Sequence, residues 1–253
     1  MSHWYAQDGS PCYELPKRGG GTKAVTLREA RQLHLNPSTT TVLEIVAKKN
    51  IEDWKVKQGI IAALTLEFYP GESDEEYIER CIIESRRKAK EAAEEGTRIH
   101  DAIEASFKGK TFPEYYRPHV QSVQEEIRRL FPDITDWFAE ESFAHPDGFG
   151  GKCDLHSRSA GIVVDYKGKD GDFTDGKKLA YDQHWQLGSY RRGLRLPPGG
   201  KGANIFVSRT HPGKVASHVW SPQEIDEGEA IFMDALSLWK KLKKYDGGWD
   251  EAD

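Results

Sequence analysis

The chain has 253 residues, with 41 acidic and 36 basic side chains for a formal net charge of −5, and 37% of it is hydrophobic. That supplies one sizeable core and suits a single domain. No run reaches the length of a membrane span. The N-terminal order also lacks the basic-then-apolar pattern of a signal peptide, so a soluble protein, cytoplasmic or nucleoid-associated, is expected.

Cys12, Cys81 and Cys153 are odd in number, far apart and free of any CxxC pair, which argues against disulfides and against a cysteine-held iron–sulfur cluster. An acidic total does not advertise nucleic-acid binding. It remains compatible with it, because a channel needs only local basic residues.

Residues 1 to 36 are rich in Gly, Pro and polar side chains and read as a mostly irregular arm with one short helix near Leu27 to Leu33. After Pro37, the residues Val42, Ile45, Val46, Ile51 and Trp54 recur at helical spacing and predict an amphipathic helix pair facing a core. Pro70 and Gly71 break that pattern, and Ser73 with Glu76 forms a capping box that opens a helix running to about Phe107. Gly96 lies inside it and predicts a kink or two abutting helices. His100, Ile103 and Phe107 share one face, which puts the histidine on the buried side. Arg117 to Leu130 forms the next helix, with Val120, Val123, Ile127 and Leu130 in one stripe and Pro132 beyond its end.

The segment DWFAEESFAH then reads as a strand. From Phe149 onward, two apolar runs around Asp154 and Asp165 alternate like strands, and Ser159, Ala160 and Gly161 supply the turn of a hairpin. Period-two alternation puts Asp165 and Lys167 on one strand face and Tyr166 on the other, in packing. If Asp154 faces the same side, two carboxylates and an ammonium converge. Such a site suits a hard divalent cation, Mg²⁺ or Mn²⁺, beside a phosphate: the carboxylates hold the ion, and the ammonium orients water or offsets developing charge.

A polar, Gly-rich loop follows, fit to close over substrate. The helix after it carries Gln186 and Tyr190 at i and i+4. Arg191, Arg192 and Arg195 follow as candidate phosphate contacts, against the plainer reading of a solvated helix end. ANIFVSR and VASHVW are two further strands, and Ser221 to Glu224 is another capping box, opening a last amphipathic helix with Ile225, Phe232, Leu236, Trp239 and Leu242. GGWDEAD reads as a loose tail. LPPGGKGAN lacks the Ser/Thr and the spacing of a Walker A loop.

GGKCD, then VVDYK, then a helix with Gln186 and Tyr190 resembles the RecB-like branch of the PD-(D/E)XK nucleases, and within it the mitochondrial genome-maintenance exonuclease family. The Asp, Asp-x-Lys and Gln-x-x-x-Tyr elements stand in the family's order; Cys153 replaces the family's Pro, and Gly168 stands where many relatives have a small hydroxyl residue. The likeness covers most of residues 37 to 245 and extends to GTRIHDAIE, similar to a family helix in which the histidine ligates metal, and to Ser38 to Trp54.

The resemblance implies that His100, Asp154 and Asp165 hold the metal. It implies that Lys167 positions the water and that Gln186 and Tyr190 organise the site, and it carries over Thr97 as a DNA contact beside Gln186, Arg191 and Arg192, which the helix itself offers. A Glu-Ser pair precedes the first catalytic Asp in that family. Since adjacent strand residues face opposite sides, only one of Glu140 and Glu141 can join the site; Glu141, followed by Ser142, is the one expected.

The expected fold is therefore α/β, a restriction-endonuclease-like mixed central sheet flanked by helices with a helical N-terminal portion. The expected organisation is an arm over 1 to 36, one nuclease domain over 37 to 245 and a tail over 246 to 253. The implied activity is a metal-dependent DNA exonuclease preferring free single-stranded ends. The rivals are a double-strand end-resecting phage-type exonuclease, a restriction-like endonuclease and a non-catalytic DNA-end-binding protein.

Overall fold

The computed structural model describes residues 3 to 46 and 49 to 248, and for residues 49 to 52 the backbone only. The elements are, in order, β1 (Trp4–Tyr5), β2 (Glu14–Pro16), β3 (Thr22–Ala24), α1 (Leu27–Gln32), β4 (Asn36–Pro37), α2 (Thr39–Leu43), α3 (Lys49–Thr65), α4 (Asp74–Phe107), α5 (Arg117–Leu130), β5 (Trp137–His145), β6 (Phe149–Ser157), β7 (Ile162–Lys169), α6 (Gln183–Gly193), β8 (Gly202–Ser208), β9 (Val215–Trp220) and α7 (Pro222–Lys243). The architecture is α/β, with a five-stranded sheet in the order β5-β6-β7-β8-β9 flanked by helices, as in a restriction-endonuclease-like fold. It is a mixed sheet: β7 and β8 are parallel and the other neighbours antiparallel. A parallel pair needs a crossover, and α6 supplies it.

The alternation in β7 and β8 sorts the core into two layers. Val163 and Phe206 join Leu187 of α6 and Phe232, Leu236 and Trp239 of α7. Their sequence neighbours Val164 and Ile205 instead join Ile99 and Ile103 of α4 and Val120, Val123 and Ile127 of α5. This is the period-two signature of a sheet buried on both faces. α6 and α7 cross in backbone contact, because a Cβ on Gly188 would overlap the main chain of Glu229 and one on Gly228 would overlap that of His184.

Both capping boxes form, Ser73 with Glu76 and Ser221 with Glu224. Gly96 does not break α4, which runs unbroken through 34 residues; the packing of Ile99, Ala102 and Ile103 on the sheet outweighs one glycine's propensity cost. The expected stripe from Val42 to Trp54 is split between α2 and α3, and Ile51's side chain lies outside the described residues. Val56, Ile60 and Leu64 of α3 are exposed rather than in a core, as is Leu242 of α7. Among the described residues, no helix is long and apolar enough to cross a membrane.

The N-terminal segment contains the expected short helix, α1 at Leu27–Gln32, and it packs on the core. Trp4 is 1% exposed, its indole N–H donates to the Val25 carbonyl at 3.2 Å, and its ring meets those of Trp239 and Tyr245. Val25, Ala30 and Leu35 are buried in the same layer. Apolar residues too sparse to show a period still bury a large area when a groove awaits them. The start of the C-terminal tail is pinned too, with the Gly248 N–H donating to Asn36 Oδ1 at 2.9 Å; residues 249 to 253 lie outside the described residues.

Candidate active site

The site lies where β6 and β7 part. Their ladder joins Leu155–Ser157 to Ile162–Val164 and goes no further. In the opening fork the Tyr166 N–H has lost its strand partner, and Asp154 Oδ2 accepts it at 2.8 Å, satisfying a backbone donor that would otherwise be buried unpaired. Cys153 packs in the α6/α7 layer and Leu155 in the α4/α5 layer. Residues two apart on a regular strand share a face, so β6 reverses its pleat at Asp154.

Glu140, opposite Asp154, has a φ of 55° and is skipped by the β5–β6 ladder, which pairs Ala139 with Leu155 and Glu141 with Cys153. That left-handed residue is costly for a side chain other than Gly or Asn. Here it turns the Glu140 carboxylate toward Asp154.

His100, Glu140 and Asp154 each offer a ligand atom, all within 4.8 Å of one another. The expected glutamate, Glu141, is not among them: it lies against His156 Nε2 at 3.1 Å and pairs with Arg158. The rule that only one of the pair can face the site holds, and the distorted backbone at Glu140 decides which. Two carboxylates and an imidazole are a donor set that suits a divalent cation.

The electrostatics suit a cation-binding site. Burial, then the charge of Asp165, pushes the Asp154 carboxyl up to about 7. Burial, then the charge of Asp154, pushes Glu140 up to about 7 as well. Burial also lowers the His100 pKa against the pull of Asp165, keeping the ring neutral and able to donate a lone pair. The Glu140 carboxylate meets Lys152, two residues before Asp154 on β6, which the sequence reading missed.

Asp165 does not join that trio. It is 2% exposed, its Oδ1 lies 2.7 Å from Lys167 Nζ, and its Oδ2 accepts from Asn204 Nδ2 at 2.9 Å. Asn204 Oδ1 in turn accepts from the Trp220 indole at 2.8 Å. Nothing local marks Asn204; it faces Asp165 because the parallel register of β7 and β8 pairs the two.

Lys167 Nζ also donates to Gln186 Oε1 at 3.1 Å, and Gln186 Nε2 donates to the Tyr190 hydroxyl at 2.6 Å. Burial works against the charge on Lys167, but Asp165 and Asp154 outweigh it and raise its pKa. The ammonium is therefore a fixed cation, not a base. Two of its three N–H groups have these partners, and the third is left for a water or a phosphate oxygen.

Thr97 lines the same cleft, its hydroxyl bonded back to the Ala93 carbonyl at 3.1 Å. Arg191 and Arg192 do not reach it. Arg191 is buried against Asp226 at 2.6 Å and Glu229 at 2.9 Å of α7, and Arg192 pairs with Asp147 at 2.6 Å and Glu229 at 3.1 Å. Acids about forty residues away satisfy these cations, so they tie α6 to α7 instead of offering charge to a phosphate.

No known family model matches the chain, and no curated protein sequence matches it. Among solved structures, it is similar to the protein designated SSO0001 at 15% identity and a TM-score of 0.34, over 76% of this chain and 86% of that one. It is also similar to a phage-related exonuclease from Haemophilus somnus 129PT at 14% identity and a TM-score of 0.31, over 59% of this chain and 82% of that one. Both likenesses are remote, and neither assigns a function.

Proposed function

We propose that this chain is a divalent-metal-dependent DNA exonuclease that hydrolyses phosphodiester bonds from free, preferably single-stranded, ends. The observation that carries the reading is the fork between β6 and β7, where a half-buried acid pair and a neutral histidine lie beside a lysine held by Asp165 and Gln186. Two half-buried acids facing each other raise each other's cost of ionisation, even with Lys152 and Lys167 nearby, and a divalent cation between them would offset that cost.

His100, Glu140 and Asp154 would hold Mg²⁺ or Mn²⁺. The ion, when bound, polarises a phosphoryl oxygen and acidifies water. The chain's own residues do the positioning. Asp165 and Gln186 fix the Lys167 ammonium, whose remaining N–H points the attacking water or offsets charge on the phosphorane-like transition state. Tyr190, buried and edge-on to Phe143 at 6.1 Å, holds Gln186 in turn. Water forms the new bond to phosphorus, the strand's oxygen leaves with the electron pair of the broken P–O bond, and the proton the water gives up passes through solvent to that oxygen. Thr97 lies where it can meet the strand.

The test is digestion of end-labelled single- and double-stranded DNA, linear and circular, with Mg²⁺ or Mn²⁺ and with EDTA. Linear single strands should be degraded, closed circles should resist, and chelator should stop the reaction. Undiminished cleavage in EDTA would end the metal reading, and rapid cutting of circles would favour an endonuclease.

A further inference from the structure

The cleft that holds the acid trio has a volume of about 500 Å³ and a second wall supplied by the N-terminal segment, where His3, Tyr5 and Tyr13 line it. The rings of His3 and Tyr13 are stacked, with centroids 4.4 Å apart and planes at 25°. Tyr5 meets Tyr13 edge-on at 5.7 Å, and their hydroxyls share a 2.6 Å hydrogen bond.

The group is anchored to the site's own strand. Tyr5 pairs with Asn36 in the β1–β4 ladder and rests on Gly150 of β6, where a Cβ would come within 2.8 Å of Tyr5 Cβ. His3 is held by its N–H on Thr41 Oγ1 at 3.0 Å, and its side is exposed. On the α4 side the cleft is lined by the small residues Ala93, Gly96 and Thr97, with open space where a Gly96 Cβ would stand. An aromatic stack with His3 exposed and Tyr13 half-buried, fixed from behind, lines the cleft beside the acid trio without a packing role that requires it there.

We propose that the His3–Tyr13 stack is the platform for an unpaired nucleobase of the strand whose phosphate lies at the acid site. This rests on the nuclease reading above and adds where strand preference is set. Every base has a π face, so stacking on such a platform is tolerant of sequence. A base inside a duplex has its faces covered by its neighbours, so only a single-stranded or frayed end can offer one. Because Tyr5, Thr41 and Gly150 already fix the platform, little ordering is needed when the strand arrives.

Fluorescence anisotropy of a labelled short oligothymidylate and of its abasic counterpart, with Ca²⁺ present, tests this. The wild-type chain should bind the thymidylate more tightly. Tyr13→Ala should weaken that binding about 5- to 100-fold and leave abasic binding, and Mg²⁺-dependent kcat on the abasic strand, unchanged. Tyr13→Phe keeps the ring without the Tyr5 bond and should behave as wild type, and His3→Ala should show part of the loss. If Tyr13→Ala binds both strands as wild type does, or loses both equally, the platform is overturned while the nuclease reading stands. If the wild type hydrolyses neither strand, the nuclease reading fails, and the base-dependent difference in binding is still measured.

Discussion

Substituting Glu140 by Gln separates the geometry of the site from its sequence reading. The Glu140 and Asp154 carboxyls are each pushed up to about 7 by burial and then by a neighbouring acid's charge, and as a facing pair they titrate together. A divalent cation has to displace their protons. One pH unit below that value each acid is about nine-tenths protonated, and each displaced proton weakens binding about tenfold, or about 1.4 kcal/mol.

Mn²⁺ should therefore bind the wild-type chain about 100-fold more weakly at pH 6 than on the plateau above pH 8, with release of nearly two protons per ion at pH 6. Glu140→Gln should leave a single proton and a dependence of about tenfold or less. Its window should move to lower pH, because Asp154 loses a repelling neighbour. Glu141→Gln should change neither quantity. Calorimetric Mn²⁺ titration at several pH values, in buffers of different ionisation enthalpy, reads both. Affinity independent of pH in the wild type, or equal losses from the two glutamate variants, would refute the reasoning.

The same shift sets a stability trend. Asp154 ionises at about 7 in the folded chain and at 3.8 ordinarily, so the folded state holds more protons between those values. Stability should fall as pH rises through that window. At about 1.4 kcal/mol for each pH unit, the loss in the metal-free protein is on the order of 4 kcal/mol from this group, and Mn²⁺ should restore it most above pH 7.

Three further outcomes follow from the packing. Lys167→Met leaves Asp165 buried with Asn204 as its partner; it should cost about 3–5 kcal/mol in urea unfolding and about 10²-fold or more in kcat. Adding Asp165→Asn should return the stability and not the rate, and unimpaired turnover in Lys167→Met would remove the lysine from the mechanism. Arg191→Ala should lower stability by about 2 kcal/mol without changing the salt dependence of DNA binding, whereas a slope smaller by about 0.7 would mark a lost phosphate contact. Gly188→Ala drives a methyl group into the Glu229 backbone and should cost about 1–3 kcal/mol; a neutral thermal melt would show that α6 and α7 can part freely.

What the sequence determined by itself lies within single elements. The stripe from Arg117 to Leu130 and the helix observed there share both ends, and the Ser73 and Ser221 boxes start their helices. Alternation along one strand was enough to bring Asp165 to Lys167 and send Tyr166 into packing, and one helical turn brought Gln186 to Tyr190. Each is a rule of backbone sterics acting over four or five residues. The tertiary structure decided whatever depends on a partner distant in sequence. Period-two reasoning assumes a regular strand and could not see the left-handed backbone at Glu140, which exists where β6 reverses its pleat opposite it. Charge next to Gln186 looked available for phosphate until α7 folded Asp226 and Glu229 against it. The N-terminal segment carries no period that announces burial, yet Trp4 and Tyr5 are buried and ride on the site's own strand. Whether a group meets solvent, ligand or protein is settled by competition among long-range contacts, which no local pattern encodes.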